Sequence, residues 1–81
     1  MKPKRPNRRA LGRVLRAYRL RVGYSQERLG YMARVNRTYV SDAERGERNV
    51  SFEVLDRWLA ALDVTWGEFG AAMDNEARAR E

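Results

Sequence analysis

Apolar residues recur at helical spacing in five stretches of the chain, and no stretch alternates as a strand would. Leu11, Val14, Leu15, Tyr18 and Val22 fall on one face of a first helix, with Arg13, Arg16, Arg19 and Arg21 mostly off it. Gly23 stops that helix, since glycine takes the left-handed backbone that ends helices at little cost. Ser25 caps a short second helix, with Gln26 and Glu27 in its first turn and Leu29, Met32 and Ala33 on its buried face. Arg34, Val35 and Asn36 make a tight connection. Asn36 caps a third helix running to about Arg45, with Tyr39, Val40 and Ala43 as its apolar stripe and Gly46 as its end. A loop spans Glu47 to Val50. Ser51 caps a fourth helix carrying Val54, Leu55, Trp58, Leu59 and Leu62, which breaks at Asp63 and Val64. Thr65 caps a short fifth helix with Trp66, Phe69 and Met73 at helical spacing. Glu68, three residues after Thr65, completes a capping box.

The two ends read differently. Residues 1–9, MKPKRPNRR, hold two prolines, five basic groups and one apolar residue, and read as a disordered basic arm. Residues 10–73 form the helical domain, and 74–81 are a polar tail expected to fray. The fold class is all-α. With 81 residues the chain forms one domain with a thin core, so burial against a second copy would add stability.

Composition narrows the chemistry. There is no cysteine and no histidine, which excludes disulfides and removes the usual zinc and haem ligands along with the commonest catalytic thiol and imidazole. The only lysines lie in the arm, so Ser41 has no Lys or His beside it for nucleophilic chemistry. An enzyme is not expected, nor are a metal, a cofactor or a small-molecule ligand. No apolar run reaches the ~20 residues that cross a bilayer, and no apolar stretch follows the basic N-terminus as in a signal peptide. The expected location is the cytoplasm. Residues 1–22 carry nine basic groups and no acid, 23–50 carry five and four, and 51–81 carry three and seven. Local charges of +9, +1 and −4 make up the overall +6. One end suits a polyanion and the other does not, which points to nucleic acid or an anionic membrane surface. The apolar face of helix 1 is needed by the core, which disfavours the membrane.

Two short helices joined by three residues make a helix-turn-helix unit. In such a unit one helix braces across the DNA backbone, and the next projects polar side chains from its N-terminal half into the major groove. Asn36, Arg37, Thr38, Ser41 and Asp42 lie on one face of helix 3, and Tyr39, Val40 and Ala43 on the other. Any surface helix has such a split, so the pattern and the charge distribution together carry the reading.

The strings Tyr24-SQERLG, NRTYVSDAERGERNVS and LDRWLAALDV resemble the Xre, or Cro/cI-type, helix-turn-helix family over about residues 11–70. The run Arg-Thr-Tyr-x-Ser-x-x-Glu-Arg-x-x-Arg-Asn is similar to the controller proteins of restriction–modification systems, and other stand-alone regulators of the family share it. The resemblance implies a five-helix, lambda-repressor-like DNA-binding domain and a homodimer that regulates transcription from a pseudo-palindromic operator, with RNA polymerase as a further partner. It implies a phosphate contact for Gln26 and base contacts for Arg37, Thr38, Ser41 and Asp42 beside Asn36. It also places Arg45 and Asn49 near the DNA backbone, with Arg48 in the same DNA-binding set. An Arg19–Glu44 ion pair is implied as structural.

Three positions depart from the pattern. Arg34 stands where glycine is frequent and must take a strained backbone. Asp42 is acidic where a base is frequent, so it either accepts from cytosine or orients Arg37 or Arg45. Ala43 is small, leaving a gap for Trp58 or Met32 to fill. Val64, Trp66, Phe69 and Met73 are expected at an isologous dimer contact, their other role being to cap the monomer core. The arm is expected to raise non-specific affinity. The rival function is an antitoxin or partner-binding module of the same fold that binds DNA only to regulate itself.

Overall fold

The computed structural model describes residues 5–79, so Lys2 and Lys4 of the expected arm lie outside the described residues. Five helices follow in order: α1 Arg8–Val22, α2 Gln26–Ala33, α3 Arg37–Glu44, α4 Phe52–Ala61 and α5 Trp66–Ala79. Each expected cap is made. The Ser25, Asn36 and Ser51 side chains accept from Arg28, Tyr39 and Val54 N–H. Thr65 and Glu68 exchange both capping-box hydrogen bonds at 3.0 Å. Each cap replaces the water lost by a first-turn N–H and is worth about 1 kcal/mol. Gly23 sits in the left-handed region at φ 88°, and its N–H donates to the Arg19 and Leu20 carbonyls near the end of α1.

The domain is wider than the composition suggested. Asn7 caps α1 by accepting from Ala10 N–H at 2.9 Å, so Arg8 and Arg9 belong to the helix and not to an arm. At the other end α5 continues through 74–79 as regular helix. Ala77 is buried, and Arg13 of α1 pairs with Glu76, which docks this segment onto α1.

The core is built from Val14 and Leu15 of α1, Leu29 and Ala33 of α2, Val40 and Ala43 of α3, and Val54, Trp58 and Leu59 of α4, with Leu62, Val64 and Phe69 closing it. Helix α1 lies against α3 and α5, and α2 against α3 and α4. Val22, expected on the buried face of α1, is 41% exposed, and Arg19 takes an inward position near that end. The gap expected at Ala43 is absent because the backbones close it. A Cβ at Gly12 would lie 2.4 Å from the Glu44 carbonyl oxygen and 2.6 Å from that of Ala43. Residues without bulk at 12 and 43 let α1 and α3 approach at this crossing.

Candidate nucleic-acid interface

The α2–α3 pair is held by a turn with one unusual residue. Arg34 adopts φ 61° and ψ 42°, and its N–H reaches the carbonyls that end α2. A non-glycine residue there costs about 1–2 kcal/mol, as the sequence led one to expect. The return is direction: Val35 N–H bonds Gly30 O at 2.9 Å, and a Cβ at Gly30 would meet Val35 O at 2.8 Å. The end of α2 is also tied to α4, because Arg57 Nε donates to Ala33 O at 2.8 Å.

Behind α3 sits one buried carboxylate. Glu44 accepts from Arg19 Nε at 2.6 Å and from Arg19 Nη2 at 2.9 Å, with both residues buried. Arg19 Nη1 also donates to Tyr24 O at 2.8 Å, and Gln26 Nε2 donates to Glu44 Oε1 at 3.1 Å. The pair therefore joins the end of α1, the α1–α2 connection, the first residue of α2 and the last of α3. Its forked geometry satisfies the charges that burial strips of water. The hydrogen bonds to Glu44 hold the Arg19 guanidinium above its ordinary pKa, against the opposing effect of burial.

In front, α3 exposes Asn36, Arg37 and Thr38, with Ser41 and Asp42 half-buried beyond them. Arg37 borders a concavity of about 390 Å³ shared with Ser25, Gln26 and Glu27 at the start of α2. Asn36 is also a structural cap: its Oδ1 already accepts from Tyr39 N–H at 2.8 Å. Past the helix, Arg45, Arg48 and Asn49 are exposed. Asp42 accepts from Arg45 Nη2 at 2.6 Å and lies 3.7 Å from Arg48 Nη2. Arg45 further bonds Ser41 Oγ, and its Nε donates to Glu47 at 3.2 Å. The Arg48 guanidinium lies 4.4 Å over the Tyr39 ring, whose hydroxyl accepts from Ser51 N–H at 3.3 Å. Of the two arginines offered as partners for Asp42, the structure joins Arg45 to it and adds Arg48. Tyr39, read only as an apolar stripe residue, is the post around which the loop after α3 is built.

The residues expected at a dimer contact divide. Val64 and Phe69 are buried in the monomer core, in one cluster with Trp58 and Leu59. Met73 is half-buried against the same core. Trp66 is 40% exposed, stacks on Phe52 at 5.1 Å and donates its indole N–H to Asp56 at 2.9 Å. Phe52, 68% exposed, was not singled out from the sequence, although an aromatic directly after a cap has few core positions open to it.

Among the described residues no group of His, Cys, Asp or Glu is arranged to hold a metal ion, and no helix is long and apolar enough to cross a membrane.

Comparison with known proteins agrees with this geometry. Residues 15–69 match the helix-turn-helix family. The chain is 43% identical over 54 residues to the control protein C.BamHI of Bacillus amyloliquefaciens, covering 65% of this chain and 67% of that one. The clp gene regulator ClgR from Corynebacterium glutamicum superposes with a TM-score of 0.89 at 29% identity, over 96% of this chain and 83% of ClgR. The restriction–modification controller protein C.Esp1396I, solved as a tetramer in complex with its natural 35 base-pair operator, superposes with a TM-score of 0.79 at 30% identity, over 86% of this chain and 92% of that one.

Proposed function

The chain belongs to the Xre-type helix-turn-helix family of DNA-binding regulators, and from that premise we propose that it acts in the cytoplasm as a homodimer on a pseudo-palindromic operator, in the manner of a restriction–modification controller protein. One observation carries this reading. The polar edge of α3 is exposed while a buried, four-way hydrogen-bonded ion pair fixes the helix from behind. A rigid support is what a reading helix needs, since base contacts depend on placement within a fraction of an ångström.

Arg37 forks onto guanine O6 and N7, and Thr38 and Ser41 hydrogen-bond neighbouring base edges or meet a thymine methyl. Gln26 meets a phosphate at the start of α2, and Arg45, Arg48 and Asn49 follow the strand beyond α3. Asn36 contributes mainly by starting α3 where it does. The second copy docks on the α4–α5 end through Phe52 and Trp66, with half-buried Met73 also on α5. An exposed stacked aromatic pair has little reason to face water in a monomer. A two-fold axis there presents two α3 helices to half-sites about 34 Å apart, one turn of duplex. RNA polymerase would then meet the dimer at the promoter it occupies.

Selection from a random duplex pool, with sedimentation of the free protein, tests the reading. The expected result is an enriched inverted repeat bound by a particle of twice the chain mass. Equal affinity for all duplexes at physiological salt contradicts it.

A further inference from the structure

We propose that Asp42 is a gate on sequence selectivity: it holds Arg45 and Arg48 together at the edge of α3 and releases them only to a duplex that contacts both well. The inference rests on the DNA-binding role proposed above and adds a function for a carboxylate that a phosphate-facing surface would otherwise exclude.

The geometry is specific. Asp42 is flanked by Arg45 at 2.6 Å on one oxygen and Arg48 at 3.7 Å on the other. Its side chain is only 24% exposed, whereas those of Arg45 and Arg48 are 54% and 42% exposed. The carboxylate thus sits beneath the two cations, between them and the helix. Neither arginine is loose. Arg45 is also held by Ser41 and by Glu47 at 3.2 Å, and Arg48 rests on the Tyr39 ring. The four charges Asp42, Glu47, Arg45 and Arg48 cancel, so this edge of the reading helix is locally neutral in a chain of net charge +6.

Two consequences follow. An unrelated duplex that offers phosphates in a poor register must break these pairs for little return, so non-specific binding through this edge is suppressed. A matching duplex also breaks these pairs, but repays the loss by giving both arginines well-placed phosphate contacts. The carboxylate then works against wrong partners more than against the right one, which is specificity by repulsion.

The test uses the duplex enriched by the unchanged protein, its single-base-pair variants, and a scrambled duplex of the same composition. Three proteins are titrated over a range of salt: the unchanged chain, Asp42→Asn, and Asp74→Asn as a control that removes equal charge from α5. Melting temperatures confirm folding. In Asp42→Asn the freed arginines should steepen the dependence of log K on log salt for the scrambled duplex by about one to two, at ~0.9 for each phosphate gained. By the same relation, one added contact raises scrambled-duplex affinity roughly eightfold at ~0.1 M salt, and discrimination falls at all positions alike. A slope and scrambled-duplex affinity equal to those of Asp74→Asn overturn the gate. So does loss of discrimination at one base pair with the slope unchanged, which would make Asp42 a direct reader of cytosine. If the unchanged protein shows no preference, the DNA-reading role itself fails, and the gate with it.

Discussion

Replacing Glu44 by Gln tests the support behind α3. The substitution keeps the shape of the side chain and removes its charge. Arg19, 7% exposed, would then remain buried beside a neutral amide that can accept from one guanidinium N–H where the carboxylate accepts from two. Removing one partner of a buried pair costs about 3–5 kcal/mol, because the other charge is left without compensation. For 81 residues the whole stability is on the order of 4–12 kcal/mol, so this one change removes a large part of it. At about 4–8 °C per kcal/mol for a domain of this size, the melting temperature should fall by roughly 12 °C or more. Far-UV circular dichroism during heating at neutral pH measures it. The double variant Arg19→Met/Glu44→Leu should recover much of the loss, since an apolar pair leaves no stranded charge. The sign of the pH dependence is also fixed. Arg19 is held above its ordinary pKa, so its share of the stability is present below that value and is lost only as pH rises through the raised one, beyond working buffers. A melting temperature within ~2 °C of the parent would refute burial of the pair.

Other substitutions separate the remaining parts of the account. Gly12→Ala should destabilise by about 1–3 kcal/mol despite the better helix propensity of alanine, because the new methyl meets the Glu44 and Ala43 carbonyls; denaturant unfolding checks this, and a gain in stability would deny the close crossing. Phe52→Glu/Trp66→Glu should halve the sedimenting mass while leaving the helical signal in place; an unchanged mass removes this face from the dimer. Glu68 has a lowered pKa, chiefly from the Thr65 N–H, then the Thr65 hydroxyl, and more weakly from Arg21. Its contribution is present above the ordinary glutamate value of 4.5 and is lost as pH falls through the folded value, so Glu68→Gln should flatten the loss of stability below about pH 4.5, as acid titration of the melting temperature will report.

The elements legible in the sequence are those fixed locally. Ser25, Asn36, Ser51 and the Thr65–Glu68 box each act within one turn, so residue type and spacing suffice to place the helix starts. The strained turn at Arg34 was legible only through the family resemblance, which has glycine frequent there; the structure makes it left-handed. What the sequence hid depends on distant partners. Gly12 looks like a weak point in a helix until α3 lies against it. Arg8 and Arg9 read as arm because prolines and charge dominate the composition there, yet Asn7 alone starts the helix beneath them. Residues 74–79 look polar, but Ala77 is buried and Glu76 pairs with Arg13 of α1. At the candidate interface, the polar face of α3 was readable from its period. The pairing of Asp42 with two arginines was only half readable, because Arg48 reaches it from a loop organised by Tyr39. Val64 and Phe69 look like dimer candidates because a short last helix has little chain to cover it, but the chain turns at Asp63 and both are buried in the core.

The most direct measurement is a titration of Arg37→Ala against every single-base-pair variant of the selected duplex, at fixed physiological salt. The account predicts that discrimination disappears at one base pair in each half-site, at a cost of about 1–3 kcal/mol on the preferred sequence, while the other positions keep their ranking. Weakening by the same factor on every duplex would make Arg37 a phosphate contact, and α3 would not be reading bases through the residue best placed to do so.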